Sequence, residues 1–387
     1  MRADLLQKVL SVSFDNPAAF DKVVDEEITR NRRLMSRERR ELTDLLFDCV
    51  RWRRRIWGDI FPSNLEIDPL LKKMEDARGL KANPPLSRWS TLPLDALARE
   101  VSFPTWIIER WVGEFGFTSA VSLALSLNEP APLTIRTNEL KTHRAALKKE
   151  LASEDILSAE GKHSPWALHL KTRTNVRALK SFKKGWFEVQ DEGSQLAAIS
   201  SGAKEGNTAV DVGTGAGGKT LALAALMANR GKILAVDSDS RKAEEFKERC
   251  KRNGVTIARF QWVAQDDPTP MAELKDQADV VLVDAPCSSL GTLRRRPALK
   301  WDTGPASVPK LAARQLALLK RFAPLVKSGG RLIYVTCTIG KEENSDVVEK
   351  FLTDEPAFSS ASPPKLLRPD VEGTDGFFIA AFHRRNP

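Results

Sequence analysis

The sequence predicts an α/β protein: a doubly wound, mostly parallel sheet in the second half, preceded by a helical region and a small α+β module. Three observations lead there. From about Gly185 short apolar runs alternate with helical stretches; up to about residue 127 apolar residues recur at helical spacing; and Asn128-Glu-Pro-Ala-Pro132 between them reads as a linker. The 387 residues suffice for three domains, expected at 1–127, 128–185 and 186–387.

Leu5, Leu6, Val9 and Leu10 open the helical region at three- and four-residue steps. Over 36–60 the positions Leu42, Leu45, Leu46, Cys49, Ile56 and Ile60 form one face of a second helix. Arg30, Arg32, Arg33, Arg37, Arg39 and Arg40 precede this stripe or flank it, then Arg51, Arg53, Arg54 and Arg55 interleave with Trp52 and Trp57. The run reads either as a solvated helix face with buried tryptophans or as a surface for RNA phosphates. The small module is read as a strand over 133–136 and a helix over 142–151, with a basic remainder. In the last region strands are expected over 209–212, 233–236, 260–263, 280–283 and 332–335, and helices over 219–227, 241–252 and 311–326. A final strand is expected over 376–382. A ligand crevice belongs at the carboxyl ends of such strands.

Sixty Lys+Arg against 51 Asp+Glu give a net charge of +9, which favours a polyanionic partner. No run of 18 apolar residues suggests a membrane span, and the start lacks the plan of a signal peptide. Four scattered cysteines are too few for a disulfide scaffold, and the four histidines show no metal-ligand spacing with them. A cytoplasmic, reduced, metal-free monomer is expected.

Val210-Asp-Val-Gly-Thr-Gly-Ala-Gly-Gly-Lys-Thr220 links the first of these strands to a helix, so its glycines allow close backbone approach to a ligand. Gly213 to Thr220 also fits G-x-x-x-x-G-K-T, the phosphate loop of NTPases, and Val281-Leu-Val-Asp284 fits its acidic strand. Against that reading, Asp237 ends the next strand, where dinucleotide and adenosyl folds place a ribose-binding carboxylate. Asp284 is followed at once by Ala-Pro-Cys287, and Cys337 closes another apolar strand. Cys49 and Cys250 fall on helices and read as small buried side chains.

With these residues in view, the chain resembles the RsmB-like RNA (cytosine-5) methyltransferases, which modify small-subunit ribosomal RNA in bacteria. Gln190-Asp-Glu-Gly-Ser-Gln195 is similar to the family's Q-D-x-x-S-Q helix, and Gly217-Gly-Lys-Thr220 to the end of its cofactor loop. Asp284-Ala-Pro-Cys287 with Arg294, Arg295, Pro297, Lys300 and Trp301 resembles its D-A-P-C…R-R-x-P…K-W run. Thr336-Cys337 with Glu343-Asn344 resembles T-C…E-N, and Asp375-Gly-Phe-Phe378 its last strand. The front is similar to the family's NusB-like helical domain. Three departures stand out. The usual loop reads C-A-A-P-G-G-K-T, where this chain has Gly213, Thr214, Gly215 and Ala216; Ser289 replaces a usual glycine and Ala298 a usual aspartate.

The resemblance implies a Rossmann-like class I methyltransferase domain using S-adenosyl-L-methionine. It implies Cys337 as the nucleophile that adds to cytosine carbon 6 and Cys287 as the residue assisting release. Asp284 would hydrogen-bond the cytosine and border the cofactor, and Lys219 would hold the base or lower a thiol pKa. Gly213, Thr214, Gly215, Ala216, Gly217, Gly218 and Lys219 would wrap the cofactor, with Asp237 on its ribose and Asp266 on its adenine. Arg294, Arg295, Arg296 and Lys300 would grip RNA phosphates near a single-stranded or flipped base. An RNA-binding assembly factor without catalysis, an NTPase, and the same chemistry on transfer RNA remain as competing readings.

Overall fold

A computed structural model describes residues 3–172, 174–265, 267 and 271–386. Two units separate by contact. One comprises the residues up to Ala131 together with Ser288–Val308 and Arg368–Gly373; the other comprises Pro132–Cys287, Pro309–Leu367 and the stretch from Thr374 onward. Neither is contiguous in sequence.

The first unit is helical. Its opening helix, Ala3–Asp15, buries Leu6, Val9 and Leu10 as the spacing predicts. The long helix Ser36–Trp57 buries Leu42, Leu45, Leu46, Cys49 and Ile56. It stops at Gly58, whose φ of +74° breaks the helix, so Ile60 lies beyond the end and is 81% exposed rather than part of the stripe.

The arginines of this helix act largely within the unit. Arg54 is buried and fully engaged, donating to Asp59, Asp95, the Phe103 carbonyl and the Thr105 hydroxyl. Arg51 pairs with Asp48 and donates to the Arg294 carbonyl; Arg55 pairs with Glu100. Arg53 lies 4.3 Å over the Phe14 ring and 4.1 Å over Trp301, and burial lowers its pKa to about 10. The phosphate-binding reading of Arg51 and Arg54 is therefore corrected: these charges hold helices together. Arg32, Arg33, Arg37 and Arg40 stay exposed.

Lys300 requires the same correction. It is 1% exposed, with its ammonium donating to the Arg51 carbonyl and Asn128 Oδ1 at 2.7 Å each and lying 4.0 Å over the Phe103 ring. Burial, and then Arg53 and Arg51, push its pKa well down. It has no route to a phosphate. Arg294 donates to the Gly373 carbonyl and Arg296 pairs with Asp21, while Arg295 is half-buried.

The second unit contains two sheets among the described residues. The smaller is antiparallel, with strands β1 (Leu133–Thr137), β2 (Ser158–Glu160), β3 (Ala167–Leu170) and β4 (Phe187–Val189) in the order β2-β3-β1-β4. Its helix Arg144–Ser153 starts two residues later than expected because His143 accepts from the Ala146 N–H and caps it. The larger sheet has β5 (Thr208–Val212), β6 (Lys232–Asp237), β7 (Ala258–Trp262), β8 (Ala278–Asp284), β9 (Val326–Thr336), β10 (Phe358–Ser360), β11 (Lys365–Leu367) and β12 (Phe377–Arg384). The order is β10-β12-β9-β8-β5-β6-β7, with β11 also on β12. β5 to β9 run parallel and β12 antiparallel to β9.

The central strands are buried on both faces, which explains their unbroken apolar runs. Val210 and Val212 of β5 pack with Leu319, Phe322 and Phe351 on one side; Ala209 packs with Leu221, Met227 and Phe246 on the other. The order reverses at β5/β8, the switch point where a crevice opens.

Lys300→Ala should destabilise the helical unit by about 2–4 kcal/mol, because the Asn128 and Arg51 oxygens lose their buried donor and a void remains. Chemical denaturation would measure it; a change below about 0.5 kcal/mol would contradict the internal role.

Candidate active site

The loop after β5 is shaped by its neighbours. Gly213 has φ +76°, and a Cβ there would stand 2.3 Å from the Asp284 carbonyl oxygen, so only glycine allows the loop to pass the end of β8. Gly217, at φ +87°, caps the helix Gly218–Leu226 and presses against the Phe246 ring, leaving no room for a side chain. Asp237, at the end of β6, accepts from the Gly215 N–H at 2.8 Å through one oxygen and from the Asp239 N–H at 2.8 Å through the other. The carboxylate expected on the cofactor ribose thus also holds the loop.

Beneath the loop sits Asp211, fully buried and missed in the sequence. The Thr214 and Thr220 hydroxyls both donate to its Oδ2, at 3.0 and 2.5 Å. Burial raises its pKa to about 6, with the hydroxyls and Lys219 opposing and Asp284 assisting. Thr220 is completely buried on this carboxylate, so it cannot serve as the magnesium-binding threonine of a phosphate loop. Lys219 is likewise engaged, donating to Asp284 Oδ2 at 2.6 Å. Burial opposes its charge, but Asp284, Asp211 and Cys337 more than offset this and its pKa is raised.

The cleft above has a volume of about 380 Å³ and is bordered by Gly213, Asp237, Val263, Gln265, Asp284 and Phe322. It offers a carboxylate at the end of β6, apolar walls and a glycine-lined floor, a donor set that fits an adenosyl group. Asp266 lies outside the described residues.

Cys287 and Cys337, fifty positions apart, meet with their sulfurs 3.4 Å from each other, and the Cys337 N–H points at the Cys287 sulfur at 3.3 Å. A buried network fixes the segments that carry them. Gln315 donates to the Pro286 carbonyl and to Glu343; Tyr334, the chain's one tyrosine, donates to the Glu343 carbonyl at 2.6 Å, with its hydroxyl 3.0 Å from Gln315 Oε1. Thr336 donates to Asn344, which donates back to the Thr338 carbonyl. Glu343 and Asn344 had a sequence signal in the T-C…E-N run; Gln315 and Tyr334 had none beyond apolar periodicity.

The chain matches the family described as 16S rRNA methyltransferase RsmB/F over residues 199–383, and the ferredoxin-like domain of RsmF/B-like methyltransferases over residues 103–177. It is 33% identical to a probable ribosomal RNA small subunit methyltransferase B of Bacillus subtilis, across 76% of this chain and 69% of that protein. The chain belongs to the RsmB/F family. A Synechocystis protein of the same description is 35% identical across 74% of this chain and 67% of its own length. Among solved structures, PH0851 is 26% identical with a TM-score of 0.80 over 99% of each chain. A methyltransferase homolog from Pyrococcus horikoshii is also 26% identical, with a TM-score of 0.66 over 75% of this chain and 98% of its own.

The raised pKa of Asp211 has a definite sign. Its contribution to stability is present below pH 3.8 and is lost as pH rises through about 6. Asp211→Asn should therefore flatten the decline in melting temperature between about pH 4 and 6.5 and stabilise the fold at pH 7.5 by on the order of 1–3 kcal/mol. Parallel pH curves for the two proteins would contradict a raised pKa.

Proposed function

We propose that this protein methylates carbon 5 of a cytosine in small-subunit ribosomal RNA, with Cys337 as covalent nucleophile and Cys287 assisting release. The observation that carries the reading is the approach of two thiols to 3.4 Å beside the Lys219–Asp284 pair. Single-cysteine chemistry would not require the second sulfur at this distance.

Carbon 5 of cytosine is a weak nucleophile, and thiolate addition at carbon 6 makes it an enamine carbon able to accept a methyl group. The sulfonium methyl of S-adenosyl-L-methionine supplies the electrophile. Lys219, kept charged next to Cys337, favours the thiolate. Asp284 would hydrogen-bond the cytosine ring as the thiol adds. Cys287, as a thiolate, would take the carbon-5 proton, and the electron pair released forms the 5,6 double bond as the carbon 6–sulfur bond breaks and Cys337 leaves as a thiolate. Gly213 to Gly218 and Asp237 would hold the cofactor, and Asp266 is proposed for its adenine. Arg294, Arg295 and Arg296 remain proposed RNA contacts through their exposed portions. A substrate base must leave its stack to reach these groups, so a loop or flipped nucleotide is the form recognised. The expected site of action is the cytoplasm.

Asp237→Ala should weaken S-adenosyl-L-methionine binding by roughly 1.5–3 kcal/mol, since it removes a carboxylate acceptor and the tether on Gly215. Calorimetry reports this; tight ATP binding with no binding of the methyl donor would reverse the assignment.

Cys337→Ser should abolish methylation and form no RNA adduct, because a hydroxyl is far less ionised than a thiol near neutral pH. In Cys287→Ser, addition and methyl transfer continue while release slows. Methylated RNA then accumulates as a slow band on a denaturing gel that depends on the methyl donor. An adduct in Cys337→Ser alone would exchange the two roles, and full activity in both variants would eliminate covalent catalysis.

A further inference from the structure

The cofactor loop departs from its family at the position where a proline is usual, and the structure shows a restraint there that comes from outside the loop. Ala216 lies between Gly215 at φ +54° and Gly217 at φ +87°, two residues that favour a flexible backbone. The Ala216 carbonyl accepts from Arg249 Nη1 at 2.9 Å. The other terminal nitrogen of the same guanidinium donates to Glu188 Oε2 at 3.0 Å. Arg249 belongs to the helix Lys242–Asn253, and Glu188 to β4 of the four-stranded sheet.

Glu188 is a firm anchor. It is 4% exposed and also accepts from Arg252 and Asn253. Arg136 pairs with it in register across β1 and β4, and that side chain is 1% exposed with no hydrogen-bond partner among the described residues on any of its three nitrogens. Three guanidiniums thus share the field of one carboxylate. A planar fork placed this way transmits the position of β4 to the loop carbonyl, which a flexible ammonium would do poorly.

We propose that Arg249 is a positioning residue for the cofactor: anchored on Glu188, it restrains the loop at Ala216 in place of the stiffness a proline would give. The inference rests on S-adenosyl-L-methionine binding by Gly213 to Gly218, as proposed above. Among the described residues the Ala216 N–H donates no hydrogen bond, so Ala216→Pro removes none.

Calorimetry with S-adenosyl-L-methionine, steady-state kinetics and thermal melting on the full chain test the proposal. Arg249→Met should raise the cofactor Kd roughly tenfold, while kcat at saturating cofactor and the KM for RNA stay within about twofold. Arg252→Met removes another Glu188 partner that does not touch the loop, and should leave the cofactor Kd within about twofold. Adding Ala216→Pro to Arg249→Met should restore most of the lost affinity. An unchanged Kd in Arg249→Met, an equal loss in Arg252→Met, or no recovery with the proline would each overturn the clamp. If Arg249→Met melts below the assay temperature, Arg249→Lys, which reaches one partner at a time, carries the same comparison. A wild-type chain that binds no S-adenosyl-L-methionine defeats the parent assignment instead, a result distinct from all of these.

Discussion

Asp284 stands opposite Val335 where β8 and β9 run side by side, and the chemistry of the site hangs on that register. Cys287 lies three residues past one partner and Cys337 two past the other, so the pairing alone carries two distant thiols to the same point. A slip of one residue would turn every side chain to the opposite face and separate the sulfurs. What prevents it is burial on both faces: Val281, Val283, Leu332 and Tyr334 pack into one layer, Leu282, Ile333 and Val335 into another. The same strand end fixes β5 as well, because the Asp284 carbonyl sits against Gly213.

Strands of this kind were legible in the sequence, since continuous apolar runs bounded by polar residues leave few other choices. The expected strand over 280–283 became Ala278–Asp284, and the one over 332–335 became Val326–Thr336, each lengthened by ladder bonds that polar flanks do not reveal. β10 and β11, three residues each, lie below the length at which alternation carries any signal. Of the candidate site, the residues at strand ends and in the glycine loop were readable because their positions follow from topology. Asp211 was not: nothing in a valine-flanked aspartate discloses that Thr214 and Thr220 will turn back onto it. Arg249 escaped for the same reason. Its two partners come from the loop and from a strand sixty-one positions away.

The arginine-rich helix shows the opposite failure. Periodicity gave its apolar face except for Ile60, yet Arg51, Arg54 and Arg55 also find acids and carbonyls contributed by distant segments. Arg54 finds Asp95 forty-one positions later, and Lys300 finds the Arg51 carbonyl across 249 positions. Local sequence carries no information about such partners, so charge density overstated the surface available to a ligand.

A cation already sealed against protein oxygen or stacked on a ring displaces no counterion when a polyanion arrives. The dependence of RNA affinity on salt counts only the basic groups that meet phosphate. For this protein Arg51, Arg54, Arg136 and Lys300 fall outside that count. Its electrolyte sensitivity should consequently be shallower than sixty basic residues would suggest, and shape and base chemistry must carry more of the recognition.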